Sequence, residues 1–325
     1  MIRVLRLNSR TFPVLPEERA ALDPAEFELI EAELPEDYPE PEKVDAVMIV
    51  SAYFREDMLK KFPNLRIISR LGNGCDKIDL AAAGKRGIPV VNVPDSFSEE
   101  VAEHTVAMIL ALLRKLPQHD AMMRQGRRPL DVFGLRRISS LTLGVVGFGL
   151  IGRLTAELMR AFNMRVIFCD PGVPDHPEWA HRVDLPTLLE ESDVVTLQCP
   201  LLPATRGMMG MEEFRRMKPD AVLVNTARGE LVREAELAEA LRTGVIAAAG
   251  LDVFADFNVF TEGGFLTEHP LFGLDNVIMT PHVAANSIQG RADAHGRGAA
   301  AVADFFHRKP LKYLVNGNLL KEAGK

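Results

Sequence analysis

The chain has 325 residues, 47% of them hydrophobic, a formal net charge of −7 and a pI near 5.7. That length suits two domains and a sizeable core. The acidic balance argues against nucleic acid or an anionic membrane as the main partner, although a pocket can still be basic enough for a small anion.

The chain opens directly on a strand-like run, 2–7, without the long apolar core of a signal peptide. Further strand-like runs fall at 45–50, 65–69 and 89–93, with helix-like pieces at 56–61 and 80–85. Such alternation predicts a parallel sheet. The acidic residues from Glu17 to Glu42 read as a solvated face. Ser96-Phe97-Ser98-Glu99 has the pattern of a capping box. The helix that follows, 101–116, is apolar on nearly every face and is expected to be buried. It is too short and too polar, with Glu103 and His104 inside it, to span a bilayer. Residues 124–140 are basic and irregular, and read as a surface connection.

From Leu141 the alternation restarts. Strand-like runs fall at 142–146, 165–169, 193–197, 221–225, 246–251 and 276–280, with helices notably at 151–162 and 234–242. Six strands with short crossovers predict a doubly wound sheet. A last helical run, 292–308, is expected to pack back on the first domain. No internal repeat and no low-complexity segment is present. The expected division is 1–97 plus 284–325 as one domain and 98–283 as the other. Three widely spaced cysteines, Cys75, Cys169 and Cys199, form no C-x-x-C pair. No disulfide framework or metal site is expected, and a reducing cytoplasm fits.

Gly147-Phe148-Gly149-Leu150-Ile151-Gly152 is a G-x-G-x-x-G run between a strand and a helix, the context in which it binds a dinucleotide. Gly147 permits the turn, Gly149 lets backbone approach a pyrophosphate, and Gly152 lets helix and strand pack. The helix N-terminus then offers free N–H groups to phosphate. Asp170 ends the next strand, 18 residues after Gly152. A carboxylate there accepts hydrogen bonds from ribose hydroxyls and repels a 2′-phosphate, which favours NAD over NADP.

Ligands of open α/β sheets bind beyond the carboxyl ends of the strands. Those ends carry Asn225-Thr226-Ala227-Arg228-Gly229, then Asp252, then Thr280-Pro281-His282. Arginine suits a carboxylate and histidine suits proton exchange near neutral pH. The pair matches oxidation of a hydroxy acid: His282 takes the hydroxyl proton, Arg228 holds the carboxylate, and the hydride passes to the nicotinamide.

These motifs together resemble the D-isomer-specific 2-hydroxyacid dehydrogenases, over almost the whole chain. Arg70-Leu71-Gly72-Asn73-Gly74-Cys75-Asp76-Lys77-Ile78-Asp79 is similar to the family's R-x-G-x-G-x-D-N-I-D loop. Gly87-Ile88-Pro89-Val90, Asn92-Val93-Pro94 and Val101-Ala102-Glu103-His104 continue the match. The resemblance implies two flavodoxin/Rossmann-like α/β domains, each a doubly wound parallel sheet, with a cleft between them. It implies that the amides of Asn73 and Gly74 help hold a small-molecule carboxylate. It places Pro200 and Thr226 beside the cofactor and Asp252 near the nicotinamide carboxamide, and it implies a homodimer. The family contains enzymes for 3-phosphoglycerate, formate and phosphite, and NAD-sensing corepressors. Arg55 and Arg70 are the basic groups available for a phosphorylated substrate.

The family's D-V-F-E-x-E-P loop carries a glutamate that hydrogen-bonds the catalytic histidine. Here the run is Asp252-Val253-Phe254-Ala255-Asp256-Phe257-Asn258, and the counted position is Phe257. The loop is also longer, so Asp256, Glu262 or Glu268 could supply an acid from a shifted place. A neighbouring carboxylate raises a histidine's pKa. Without one, reduction of a 2-oxo acid is expected to fall off earlier as pH rises. Cys75 reads as a small core residue, and Trp179 as surface packing in a loop.

Overall fold

Short runs of Val, Ile and Leu bracketed by turn residues build two parallel sheets. A computed structural model describes residues 1–127, 134–255 and 268–323. Two compact units emerge, Met1–Phe97 with Asn286–Lys325, and Ser98–Ala285.

In the first unit the elements run β1 (Ile2–Arg6), α1 (Pro16–Ala21), β2 (Phe27–Glu31), β3 (Ala46–Ile49), α2 (Glu56–Lys61), β4 (Ile67–Arg70), α3 (Leu80–Lys85) and β5 (Val90–Val91). The second unit begins with α4 (Ser98–Leu113) and α5 (Leu116–Arg124), then β6 (Thr142–Val146), α6 (Leu150–Arg160), β7 (Arg165–Cys169) and β8 (Ala180–Arg182). It continues with α7 (Leu185–Glu191), β9 (Val194–Leu197), α8 (Met211–Arg216), β10 (Val222–Asn225), α9 (Glu234–Arg242), β11 (Ala248–Leu251) and β12 (Val277–Met279). The chain then returns to the first unit with α10 (Ile288–Phe306) and α11 (Gly317–Ala323).

The first sheet has the order β2-β1-β3-β4-β5, and the second β12-β11-β10-β9-β6-β7-β8. Every strand pair is parallel. The first order is the flavodoxin type and the second the dinucleotide-binding type, whose strand order reverses between β6 and β9. Central strands such as β3 and β10 are buried along their whole length, as parallel sheets covered on both faces require. Among the described residues no helix is long and apolar enough to cross a membrane.

Each sheet holds one strand more than its hydrophobic runs predict. β2 and β8 are edge strands of mixed polarity, FELIE and AHR, and their charges hide the pattern. Helix α4 buries a stripe, Val101, Ala102, Thr105, Met108, Ile109 and Leu112, rather than every face. In the same unit it packs on β10, β11 and α6. Residues 116–124, between the expected helix and the expected connection, form α5.

The acidic stretch is not wholly solvated. Glu18 is 0% exposed and forms an ion cluster with Arg6, also fully buried, and with His295 of α10. Arg6 Nε donates to Glu18 Oε2 at 2.6 Å, and His295 Nδ1 lies 2.8 Å from Glu18 Oε1. The backbone N–H of Leu15 also donates to Glu18. Burial alone would raise the Glu18 carboxyl, but hydrogen bonds from His295 and Arg6, and the Arg6 charge, outweigh it and hold the group at about 2. A carboxyl lowered on folding contributes stability above its unfolded value, 4.5, and loses it as pH falls toward 2. The contribution at neutral pH is about 3 kcal/mol. Glu18→Gln leaves the Arg6 charge buried and unpaired, so urea denaturation is expected to show a loss of about 3–5 kcal/mol. The variant should also lose the wild type's steep decline in stability between pH 4.5 and 2. An unchanged decline would place the responsible carboxylate elsewhere.

Candidate functional site

The glycine run leaves β6 where the second sheet's strand order reverses. Gly147 has φ +93°, and a Cβ there would stand 2.7 Å from the backbone of Gln198 and Cys199. Only glycine fits. A Cβ on Gly152 would meet the carbonyl oxygen of Gly147 at 2.2 Å, so α6 can begin this close to the loop only without one. Gly149 is different: a Cβ there meets nothing within 4 Å. Its freedom from side chains leaves open space at the N-terminus of α6, where N–H groups and the helix dipole favour phosphate. Leu150 and Ile151 form the first turn, and Leu150 is exposed.

Asp170 follows β7 and braces this loop. Its Oδ2 accepts the Phe148 N–H at 2.7 Å and its Oδ1 the Gly172 N–H at 2.8 Å. Arg153 reaches the same two loops from the opposite charge, donating to the carbonyls of Phe148 and Asp175. Each oxygen of Asp170 keeps a second lone pair for a further donor. Cradle, helix N-terminus and carboxylate thus fit a dinucleotide with an unmodified adenosine ribose. Pro200 is exposed just past β9, and its carbonyl accepts from Thr205. Thr226 is 7% exposed, and its hydroxyl sits 2.7 Å from that of Thr105, with Gln198 Nε2 at 3.1 Å. That side chain is engaged inward, which leaves only the backbone of Thr226 available to a ligand.

Arg228, Asp252 and His282 leave the C-terminal ends of the neighbouring strands β10, β11 and β12. Asn225 ties the first of these loops, its Nδ2 donating to the carbonyl of Arg228 at 2.8 Å and its Oδ1 accepting the Ala227 N–H at 3.1 Å. Asp252 is 0% exposed. Its Oδ1 accepts from the Thr280 hydroxyl at 2.5 Å and the Val283 N–H at 2.9 Å, and its Oδ2 from the Ala284 N–H at 2.9 Å. Its carbonyl accepts the His282 N–H at 2.8 Å. The turn so formed holds His282 at φ +55°, a left-handed conformation uncommon outside glycine, and leaves the residue exposed.

Sequence reading missed His104. It lies on α4, and its Nε2 stands 3.0 Å from Thr280 Oγ1. The signal available was the polar pair Glu103-His104 interrupting an apolar run.

In the first unit, Asn73 and Gly74 stand in the loop after β4. Asn92 donates to the carbonyl of Asn73 at 2.7 Å, and Arg70 Nε to that of Gly74 at 2.9 Å. Neither amide has an acceptor among the described residues. Arg70 is therefore a brace for this loop. Arg55 is exposed, its guanidinium 5.7 Å from the centre of the Tyr53 ring. Cys75, expected in the core, is half-buried in the loop. Trp179 is partly buried beneath Arg160 at 5.1 Å.

Asp256, Phe257, Asn258 and Glu262 lie outside the described residues, and Glu268 is exposed. On either side of that stretch, Glu234 of α9 accepts the Ala255 N–H at 2.7 Å through Oε1 and faces His269 Nε2 at 2.8 Å through Oε2. His269 Nδ1 accepts the Leu271 N–H at 3.3 Å, so its proton is on Nε2, directed at Glu234.

Residues 106–284 match the family model described as D-isomer specific 2-hydroxyacid dehydrogenase, NAD binding domain. The chain is 37% identical over 279 residues to D-3-phosphoglycerate dehydrogenase of Archaeoglobus fulgidus, covering 84% of this chain and 50% of that protein. It spans about half the length of the phosphoglycerate dehydrogenases it matches. It is also 37% identical to glyoxylate reductase of Thermococcus litoralis over 77% of this chain and 76% of the relative. The crystal structure of D-lactate dehydrogenase from Aquifex aeolicus, complexed with NAD and lactic acid, superposes with a TM-score of 0.86 at 31% identity, covering 97% and 99% of the two chains. The chain belongs to the D-isomer specific 2-hydroxyacid dehydrogenase family and contains its NAD-binding domain.

Proposed function

We propose that the chain is an NAD-dependent oxidoreductase that interconverts a small D-2-hydroxy acid and its 2-oxo acid. The observation that carries the reading is His282, held in a left-handed turn by a buried carboxylate on the sheet edge that also presents Arg228 and the glycine loop. Strained backbone of this kind persists where the surroundings over-determine it, as they do in active sites.

When bound, the nicotinamide supplies the hydride chemistry. Gly147, Gly149, Leu150, Ile151 and Gly152 hold the pyrophosphate, and Asp170 the adenosine ribose. Pro200 and the backbone of Thr226 line the nicotinamide side. Asp252 keeps one lone pair on Oδ2, once its three donors are counted, for the carboxamide. Arg228 binds the substrate carboxylate through a charged fork. The two amides of Asn73 and Gly74 are suited to the same kind of group. His282 gives a proton to the carbonyl oxygen in reduction and takes it from the hydroxyl in oxidation.

The test is loss of NADH absorbance against a panel of 2-oxo acids that includes glyoxylate, hydroxypyruvate, pyruvate and 3-phosphohydroxypyruvate. Turnover by wild type should fall about 10²–10³-fold in kcat/KM in Arg228→Ala and about 10²–10⁴-fold in His282→Gln. Tight NADH binding with no turnover on any member would replace the enzyme reading with that of an NAD-sensing protein.

Cofactor choice rests on Asp170. Asp170→Ala is expected to weaken NADH and to narrow its preference over NADPH by about tenfold, or about 1.4 kcal/mol. Titration of both nucleotides by fluorescence measures this, and an unchanged ratio would remove the ribose contact from Asp170.

The reading includes the cytoplasm, supported by three cysteines that are all thiols. It also includes a homodimer, supported by exposed apolar side chains on α5, Leu116 at 55% and Met123 at 64%. Light scattering on the purified chain should give twice the mass of 35.9 kDa, and a monomer at micromolar concentration would dismiss the dimer.

A further inference from the structure

One polar side chain at the sheet edge is left without a part in this chemistry. His104 is on α4, its side chain 24% exposed, with Nε2 3.0 Å from Thr280 Oγ1 and 3.7 Å from Asp252 Oδ1. Donor counting fixes the direction of the bonds. A carboxylate only accepts, so the Thr280 hydroxyl, 2.5 Å from Asp252, points its one proton at that residue. The Thr280 oxygen must then accept from His104, whose Nε2 carries the proton. The chain of bonds runs from His104 to Thr280 to Asp252. It ends on the amides of Val283 and Ala284, and the Asp252 carbonyl takes the amide of His282, which immediately precedes them.

We propose that His104 is a positioning residue, which by donating to Thr280 fixes the Asp252 carboxylate and thereby the turn that aims His282. The proposal rests on the reading of His282 as the proton-exchanging group. Four features support it. Thr280 is the only side-chain donor to Asp252 among the described residues, since the other donors are backbone amides. A hydroxyl with a second partner loses its freedom to rotate away, and bonds in such a chain polarise one another. The turn holds φ +55° at His282, so it has a nearby alternative at negative φ to which it relaxes when a tie is lost. His104 itself comes from a helix packed on β10 and β11, so it references the turn to the body of the unit and not to another loop.

His104→Leu removes the donor at similar volume, and His104→Gln returns an amide N–H close to the place of Nε2. In reduction of the best 2-oxo acid, His104→Leu should lower kcat about tenfold, with KM for NADH within about twofold, and His104→Gln should regain most of the loss. Wild-type kcat in His104→Leu overturns the proposal. So does an equal loss in both variants, which would mark a packing role. A second readout does not depend on turnover. The imidazole nitrogen resonances of His282, assigned with His282→Gln, should shift in His104→Leu and return in His104→Gln. If wild type reduces no member of the panel, the dehydrogenase reading falls, while these resonances still decide the positioning. Unchanged His282 resonances in His104→Leu overturn it.

Discussion

The second unit is organised around one buried charge. Asp252 has no exposed surface, and a carboxylate taken out of water costs several kcal/mol unless donors replace its hydration. The Thr280 hydroxyl and the amides of Val283 and Ala284 are those donors, and they lie on both sides of His282. The chain leaving β12 has to fold around the carboxylate to bring them in, and the left-handed backbone at His282 is the form that does so. The amide of Asp252 in turn donates to the Asn225 carbonyl, while the Asn225 side chain holds the carbonyl of Arg228. Guanidinium and imidazole therefore share one hydrogen-bonded frame across three neighbouring strands.

The opposite edge of the same sheet is built for rigidity. Asp193, at the start of β9, accepts the Thr142 N–H at 2.7 Å and pairs with Arg136 at 2.8 Å and Lys218 at 3.1 Å. Burial would push its carboxyl up, but the Thr142 amide, then Lys218 and Arg136, hold it below the usual carboxylate range. The first unit does the same with Arg6, Glu18 and His295, which join β1, α1 and α10. In both clusters the charged donors are matched to carboxylate acceptors. At the carboxyl edges the backbone amides of Asn73 and Gly74 have no acceptor among the described residues, and the space over Gly149 is open. The contrast between matched and unmatched polar groups separates scaffold from site more sharply than burial does.

Much of this was legible in the chain. Thr142–Val146 and Arg165–Cys169 carry unbroken apolar runs, and both strands have the bounds those runs predict. The glycine run and Asp170 lie within some twenty residues of each other, so local spacing was enough to place them. What stayed hidden depends on contacts distant in sequence or on unpatterned edges. β2 and β8 are edge strands, where one side faces solvent and the alternation is diluted by charge. Glu18 reads as one acid among many because its partner His295 is 277 residues away. His104 reads as an interruption of a hydrophobic helix, since Thr280 lies 176 residues further on. Asp252 was placed at the sheet edge by the strand pattern and beside the carboxamide by resemblance, yet its three hydrogen bonds, from Thr280 at the end of a strand-like run and from Val283 and Ala284 beyond it, were not legible.

The acid loop shows the limit of counting from another direction. An inserted length moves every later residue relative to a motif, so a phenylalanine at the counted position says nothing about which group stands in space where a carboxylate is wanted. Position is set by where the backbone is held. Here one carboxylate, Glu234 in the first turn of α9, receives the Ala255 amide through one oxygen and His269 through the other. Phe254 and Phe272 pack against the His269 ring at 5.4 and 5.7 Å. The residues entering and leaving the stretch are thus fixed to the same helix end, beside the β10 loop that carries Arg228. With its ends pinned, added chain length costs little, because closure entropy grows only slowly with length. A family member can therefore lengthen this loop, and change which side chain it offers, without disturbing the Asp252 frame on which His282 depends.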